Sequence, residues 1–184
     1  MKRFADLALA VLGFPFAAPI ILVCVILVRA TSPGPGIFQQ VRIGRHEEPF
    51  ICFKLRTMDI GTPNAPSHHT TAASVTPVGR WLRRFKLDEL PQLWNIIRGD
   101  MSFVGPRPCL PSQVDLIAAR RARGLHELRP GITGVAQVAG VDMSDPVRLA
   151  ELDATYLDRM SLLTDLRLII ATLLGSGRGD AVGN

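Results

Sequence analysis

Cysteine is scarce in this chain of 184 residues: Cys24, Cys52 and Cys109 are its three thiols. An odd number at wide spacing provides neither a disulfide framework nor a CxxC metal site, and fits a reducing compartment for the folded part. Tyr156 is the single tyrosine, and aromatic residues make up 6% of the chain. No zinc-finger spacing and no aromatic string of the RNA-binding kind accompany the positive charge, so nucleic acid is not expected as a partner. There is no internal repeat. The Thr-, Pro-, Ser- and Ala-rich segment 59–78 carries no acid after Asp59.

What the chain has instead is apolar content and positive charge. Hydrophobic residues make up 47% and the net charge is +5, with a mean hydropathy of +0.23. This combination points to a membrane surface and to phosphorylated or anionic partners. Behind Lys2 and Arg3 the sequence is uncharged from Leu7 to Val28. At about 1.5 Å per residue, such a helix matches a bilayer core of about 30 Å. A signal peptide fits less well, because the run ends at Arg29 and no A-x-A site follows. Gly13, Pro15 and Pro19 speak against a straight crossing, since an interior proline removes a hydrogen bond and kinks a helix. Positive charge at both ends fits a re-entrant helix that dips into one leaflet and returns, with both ends on the cytoplasmic face. A straight transmembrane anchor is the alternative.

A turn at 31–36 leads into a β-hairpin expected over roughly 37–57, with its turn at Gly44. Lys54 and Arg56 lie two apart, so on a strand they share a face; they meet either a phosphate or solvent. The segment 59–78 reads as a mobile loop, and its His68-His69 pair lacks further ligands and is given no role. A helix is expected to open near Thr76-Pro77 and to contain Gly79 to Phe85, gathering Arg80, Arg83 and Arg84, with Trp81, Leu82 and Phe85 towards membrane or core.

The chain is organised around Leu87 to Pro108, LDELPQLWNIIRGDMSFVGPRP. It places two adjacent carboxylates, Asp88 and Glu89, among Arg80, Arg83, Arg84, Lys86, Arg98 and Arg107. Cations hold phosphate oxygens, and a carboxylate can attack phosphorus or hold a divalent metal. Prolines on both sides of Arg107 restrict the backbone that presents its guanidinium. Solvated charge on a surface helix is the plainer reading of the same pattern.

This string closely resembles the signature of the bacterial sugar transferases known as monotopic phosphoglycosyl transferases. Three further motifs fall in register with it: Lys2-Arg3 followed by Asp6 and the apolar run, Phe53-Lys54-Leu55-Arg56-Thr57-Met58, and Arg129-Pro130-Gly131-Ile132-Thr133-Gly134. The resemblance covers Lys2 to roughly Leu174 and matches the small, catalytic-domain-only members. It implies transfer of a sugar-1-phosphate from a UDP-sugar to undecaprenyl phosphate, with release of UMP. Asp88 would be the nucleophile that forms an aspartyl-phosphosugar intermediate. Glu89 would assist as a base or as a carboxylate of a Mg²⁺ site shared with Asp88. The phosphate-binding candidates are Lys54, Arg56, Arg83, Arg107 and Arg129, with Thr133 and Gln137 beside the nucleotide or diphosphate. It also implies a bent re-entrant helix whose Ser-Pro break falls on Ala18-Pro19, with Pro15 as a second breaker. Where relatives have Trp and Asn, this chain has Val135 and Ala139, so contacts to sugar or base would differ.

The remaining segments are read as helices. Ser112 to Leu128 carries a basic cluster, Arg120, Arg121 and Arg123, assigned to anionic membrane lipids. Asp145 to Met160 has Leu149, Leu152, Tyr156 and Met160 at helical spacing, and Ser161 to Leu174 is too short and too charged to span a bilayer. The expected fold is α+β and mainly helical: a membrane helix at 1–30, a catalytic domain at 31–174 with a small hairpin and amphipathic interfacial helices, and a loose tail at 175–184. The expected location is the cytoplasmic face of the bacterial inner membrane. An inactive scaffold of a glycan-assembly complex and a non-catalytic basic peripheral protein are the readings from other classes.

Overall fold

A computed structural model describes residues 1–62 and 74–176. His68-His69 and most of the expected tail lie outside the described residues. The architecture is mainly helical, with two small sheets. The elements are α1 (Lys2–Thr31), β1 (Ile37–Ile43), β2 (Pro49–Leu55), α2 (Pro77–Arg84), α3 (Gln92–Arg98), β3 (Ser102–Val104), α4 (Val114–Arg121), β4 (Gly131–Thr133), α5 (Val135–Val138), α6 (Pro146–Arg159) and α7 (Leu162–Leu173).

The first helix, α1, runs as one element with Pro15 and Pro19 inside it, so the expected interruption at Pro15, Ala18 and Pro19 does not divide it. It is long and apolar enough to cross a membrane. Its buried residues, Asp6, Ala10, Ala17, Cys24 and Val28, recur near heptad spacing and form one narrow stripe. Ala10 and Ala17 pack with Cys52, Leu93, Ile96 and Met101, while Cys24 and Val28 pack with Leu55 and Leu82. Small side chains on this stripe let the helix lie close along the body. Phe4, Leu12, Phe16, Leu22 and Ile26 stay exposed on its other sides.

Both ends of α1 are tied to that body. Lys2 Nζ lies 2.7 Å from Asp165 Oδ2. Arg3 donates to the carbonyls of Ile96 and Ile97 at 2.6 and 3.2 Å, where a cation suits the negative end of α3. Asp6 accepts from the Ser102 hydroxyl at 2.9 Å and the Phe103 amide at 3.2 Å. At the far end, Arg56 donates to the carbonyls of Ser32, Pro33 and Pro35.

The hairpin pairs β1 with β2 antiparallel, Phe38 opposite Lys54 and Gln40 opposite Cys52. Its reversal falls at Arg45–Glu47, one residue beyond the expected turn, with His46 and Glu47 at positive φ. The second sheet, β3 with β4, is parallel; sequence reading did not anticipate it. The expected helix 112–128 stops after Arg121, because Gly124 takes a left-handed φ of 72° and a short 3-10 turn follows at Leu125–Glu127. The basic cluster there meets acids of the protein: Arg120 pairs with Asp153, Arg121 with Glu47 and Arg123 with Glu151. Helices α6 and α7 start where Asp145 and Ser161 side chains accept from the amides of Arg148 and Thr164. Leu149 and Tyr156 are buried as expected, whereas Met160 is exposed. Leu82 is buried while Trp81 and Phe85 face outward with ring centroids 5.3 Å apart.

Candidate active site

The carboxylate pair sits in a 3-10 turn at Leu87–Glu89, between α2 and α3. Three local features place it. Thr76 caps α2 by accepting from the Gly79 amide, with Pro77 in the first turn. Gly79 lets α2 approach the Thr57 carbonyl so closely that a Cβ would collide with it. Lys86 then adopts a left-handed φ of 56°, which folds the chain back and turns Asp88 and Glu89 inward. Both carboxylates are buried, at 4% and 8% exposure, unlike the solvated charges of an ordinary surface turn.

Lys54 comes to this turn from β2. Its Nζ lies 3.8 Å from Glu89 Oε1, with both side chains close to 10% exposed. The strand is held in place by Asn95 of α3, a fully buried side chain. Asn95 accepts from the Phe53 amide at 3.1 Å and donates to the Ile51 carbonyl at 2.7 Å. Nothing in the sequence singled out Asn95. It is a buried amide that pairs with an edge of β2, and only the fold shows the pairing.

Arg107 arrives from the Gly105-Pro106-Arg107-Pro108 turn, and its Nη2 donates to Glu89 Oε1 at 2.7 Å. Glu89 therefore joins two cations from different elements. Arg83, one helical turn before the pair, donates from Nε to the Thr57 hydroxyl at 2.9 Å. Burial is the main cause that pushes the Lys86 amine below its ordinary pKa, with Glu89 opposing and Arg107 adding to the shift. Lys86 Nζ itself donates to the Thr172 and Ser176 carbonyls at 3.0 Å each.

The other anticipated contacts are engaged elsewhere. Arg56 lies just past the end of β2, where its amide still bonds the Gly36 carbonyl of the facing chain at 2.9 Å. Its guanidinium is taken up by the turn after α1, which accounts for its burial without a phosphate. Arg129 donates from Nε to the Gly99 carbonyl at 2.8 Å, at the end of α3. It lines a cavity of about 170 Å³ with Lys2, Arg3, Asp6, Arg45 and Tyr156. Burial, then the charges of Arg3 and Arg45, lowers its pKa. Thr133 shares a hydrogen bond with Thr172, the oxygens 2.5 Å apart. Gln137 donates to the Ile132 carbonyl at 2.9 Å. The structure thus gathers Asp88, Glu89, Lys54 and Arg107, holds Arg83 on the Thr57 hydroxyl, and gives Arg56, Arg129, Thr133 and Gln137 partners in other parts of the molecule.

Among the described residues there is no group of three or more His, Cys, Asp and Glu side chains able to cage an ion. Two adjacent hard oxygen donors remain, Asp88 and Glu89. A pair of carboxylates completed by substrate phosphates is the way Mg²⁺ is commonly held, so the donor set fits that ion.

Residues 1–177 match the bacterial sugar transferase family. The chain is 38% identical over 173 residues to a protein of Bacillus subtilis named "Uncharacterized sugar transferase EpsL", covering 94% of this chain and 85% of that one. It is also 38% identical over 181 residues to the UDP-glucose:undecaprenyl-phosphate glucose-1-phosphate transferase of Caulobacter vibrioides, with 94% and 68% covered. To the UDP-N-acetylgalactosamine-undecaprenyl-phosphate N-acetylgalactosaminephosphotransferase of Aeromonas hydrophila it is 34% identical over 183 residues, with 94% of this chain and 43% of that longer one covered.

Proposed function

This chain belongs to the bacterial sugar transferase family, and from that premise we propose that it moves a sugar-1-phosphate from a UDP-sugar to undecaprenyl phosphate. The observation that carries the reading is the buried Asp88-Glu89 turn with Lys54 and Arg107 converging on Glu89. Relatives named for this reaction, with glucose or N-acetylgalactosamine as the sugar, support it.

In the first half-reaction an Asp88 carboxylate oxygen attacks the sugar-bearing phosphorus of the donor. A new oxygen–phosphorus bond forms, and the bond from that phosphorus to the bridging oxygen breaks. UMP leaves with the bond's electron pair, and the sugar phosphate stays on Asp88 as an acyl phosphate. In the second, a phosphate oxygen of the polyprenol attacks the same phosphorus. The acyl phosphate bond breaks, Asp88 is regenerated and the polyprenyl-diphospho-sugar departs. Splitting the transfer lets the nucleotide leave before the lipid arrives.

An anionic nucleophile facing an anionic phosphate needs cations arranged beforehand. Lys54 and Arg107 supply them, one from a strand and one from a proline-bounded turn. Glu89 holds both against the turn that carries Asp88, and Arg83, held by the Thr57 hydroxyl, would add a third cation. Mg²⁺ would be held by Asp88 and Glu89 together with donor phosphates, and when bound would neutralise diphosphate charge. Arg129 offers a further positive position in its own cavity for the nucleotide or its phosphates.

The membrane arrangement follows from α1. A helix whose two ends and one full-length stripe are all bonded to the catalytic body keeps both ends on that body's side of the bilayer, which supports a re-entrant rather than a crossing course. The cytoplasmic face of the inner membrane is the location this reading requires. The exposed apolar side chains of α7, Leu162, Leu166, Ile170 and Leu173, and the outward Trp81–Phe85 pair would rest on anionic lipid.

The test is UMP release from a panel of UDP-sugars with undecaprenyl phosphate and Mg²⁺, for the native chain and Asp88→Asn. Release with one donor that the variant abolishes, together with a phosphosugar adduct in the intact mass, is the expected result. Equal release by the variant removes the covalent role of Asp88. No release with any donor of the panel overturns the transferase reading and favours a scaffold.

A further inference from the structure

The turn that presents Arg107 has an unusual backbone. Pro106 and Pro108 carry no N–H, so the turn is anchored mainly through its carbonyls. The Pro106 carbonyl accepts from the Gly131 amide at 2.9 Å. The next two carbonyls accept from arginine side chains of other elements. Arg120 of α4 donates from Nη1 to the Arg107 carbonyl at 2.8 Å and from Nη2 to Asp153 Oδ2 of α6 at 3.1 Å. Arg42 of β1 donates from Nη1 to the Pro108 carbonyl at 2.9 Å and from Nε to Gln40 Oε1 at 2.8 Å. Both arginines are 8% exposed.

Burying a guanidinium carries a large desolvation cost, and an apolar pair of equal volume commonly holds two helices together as well as a buried ion pair does. What an apolar pair cannot do is donate to a carbonyl. Arg120 and Arg42 each place one donor on the turn and another on a polar side chain of a regular element, so the turn is fixed to α6 through one and to β1 through the other. From that fixed backbone the Arg107 guanidinium reaches Glu89.

We propose that Arg120 and Arg42 are positioning residues for the transfer: they hold the carbonyls of Arg107 and Pro108 so that the Arg107 guanidinium stays aimed at Glu89 and the donor phosphate. The inference rests on the phosphate role given to Arg107 above. Neither arginine touches substrate; both act through the turn.

The test is a double-substitution cycle on the full chain, read as UMP release with undecaprenyl phosphate and the UDP-sugar of the panel that turns over fastest. Arg120→Lys keeps a charge beside Asp153 but not the planar fork that serves two acceptors at once. The expected loss in kcat is about 10- to 100-fold, the scale for a catalytic group displaced by about 1 Å. In an Arg107→Ala background the same substitution is expected to have no further effect, because the group it positions is gone. Equal factors in both backgrounds, the outcome for a merely structural role, overturn the inference. So does unchanged kcat in Arg120→Lys. If that variant does not fold, Arg42→Lys against Arg107→Ala provides the same cycle with the same readings. Wild-type turnover by Arg107→Ala removes the phosphate role of Arg107 and the inference with it; loss in Arg107→Ala with multiplying factors removes the inference alone.

Discussion

Gly105 is where the arginine turn crosses the segment that leads into β4, and the crossing leaves no room for a side chain. A Cβ at Gly105 would lie inside 3.0 Å of the Arg129 carbonyl oxygen, with the Gly131 nitrogen at 3.1 Å and the Pro130 carbonyl carbon at 3.3 Å. All three are backbone atoms, so no rotamer change relieves the clash. The opposing side is equally tight, since a Cβ at Gly131 or Gly134 would strike the backbone of Gly105. An ordinary carbon–oxygen contact is about 3.3 Å or longer, so Gly105→Ala forces the segments apart by up to about 1 Å. Two hydrogen bonds of 2.9 Å are strained by that shift, from the Gly105 amide to Thr133 and from the Gly131 amide to Pro106. Overpacking of this kind costs about 1–3 kcal/mol. Arg107, two residues on, moves with the turn, and a displacement near 1 Å costs about 100-fold in turnover. Gly105→Ala is therefore expected to fold with a Tm lowered by roughly 2–12 °C and to release UMP about two orders of magnitude more slowly. Gly13→Ala is the control, because a Cβ there meets nothing within 4 Å. A folded Gly105→Ala protein with native turnover would refute the claim that this crossing sets the position of Arg107.

Three other outcomes follow from the same geometry. Asp165 accepts from Lys2 at 2.7 Å and from the buried Tyr156 hydroxyl, so Asp165→Ala should cost about 3 kcal/mol in denaturant unfolding; a loss under about 1 kcal/mol would show that the start of α1 is not anchored there. Burial pushes the Cys52 and Cys109 thiols above their ordinary pKa, with nearby Lys54 and Arg120 respectively only partly opposing it. A raised thiol pKa means less thiolate at every pH below it, so at pH 8 iodoacetamide should label both residues far more slowly in the native chain than in urea, and equal rates would contradict the burial. For topology, an epitope tag before Met1 and a Thr31→Cys thiol should both be reached from the cytoplasmic side of sealed vesicles, whereas access from opposite sides would mean that α1 crosses the bilayer.

The hairpin and the three longer carboxyl-terminal helices are readable in the sequence to different depths. Alternation through Phe50, Cys52 and Lys54 is strong enough to place β2, and Asp145 and Ser161 mark helix starts by chemistry that acts locally. The site of reversal between the strands is not readable, because His46 and Glu47 take positive φ without glycine to signal it. The β3–β4 pair has no alternation to detect: three residues on each side pair across a long sequence separation in a glycine- and proline-rich context. The early end of α4 does have a signal, Gly124, but glycine inside a basic helical pattern is read as a tolerated defect until its φ is known.

The carboxylate pair stands out in the sequence because two acids lie in an excess of cations, yet the sequence does not show which protein groups those cations meet. Arg56 follows Lys54 by two residues, just past the end of β2 at Leu55. Its carbonyl partners in the turn after α1 are invisible to any pattern. The same holds for Arg3 on Ile96 and Ile97, Arg42 on Pro108, Arg45 on Glu127, Arg120 on Arg107 and Arg129 on Gly99. A chain with 14 prolines and, among the described residues, two two-stranded sheets satisfies few carbonyls by ladders, and arginine, with five donors in a planar fork, is suited to satisfy the rest. Much of the positive charge is accordingly a backbone device, so net charge does not map ligand contacts. What separates Lys54 and Arg107 from the others is the acceptor: their side chains converge on a buried carboxylate beside Asp88, where a phosphate can take up the same donors.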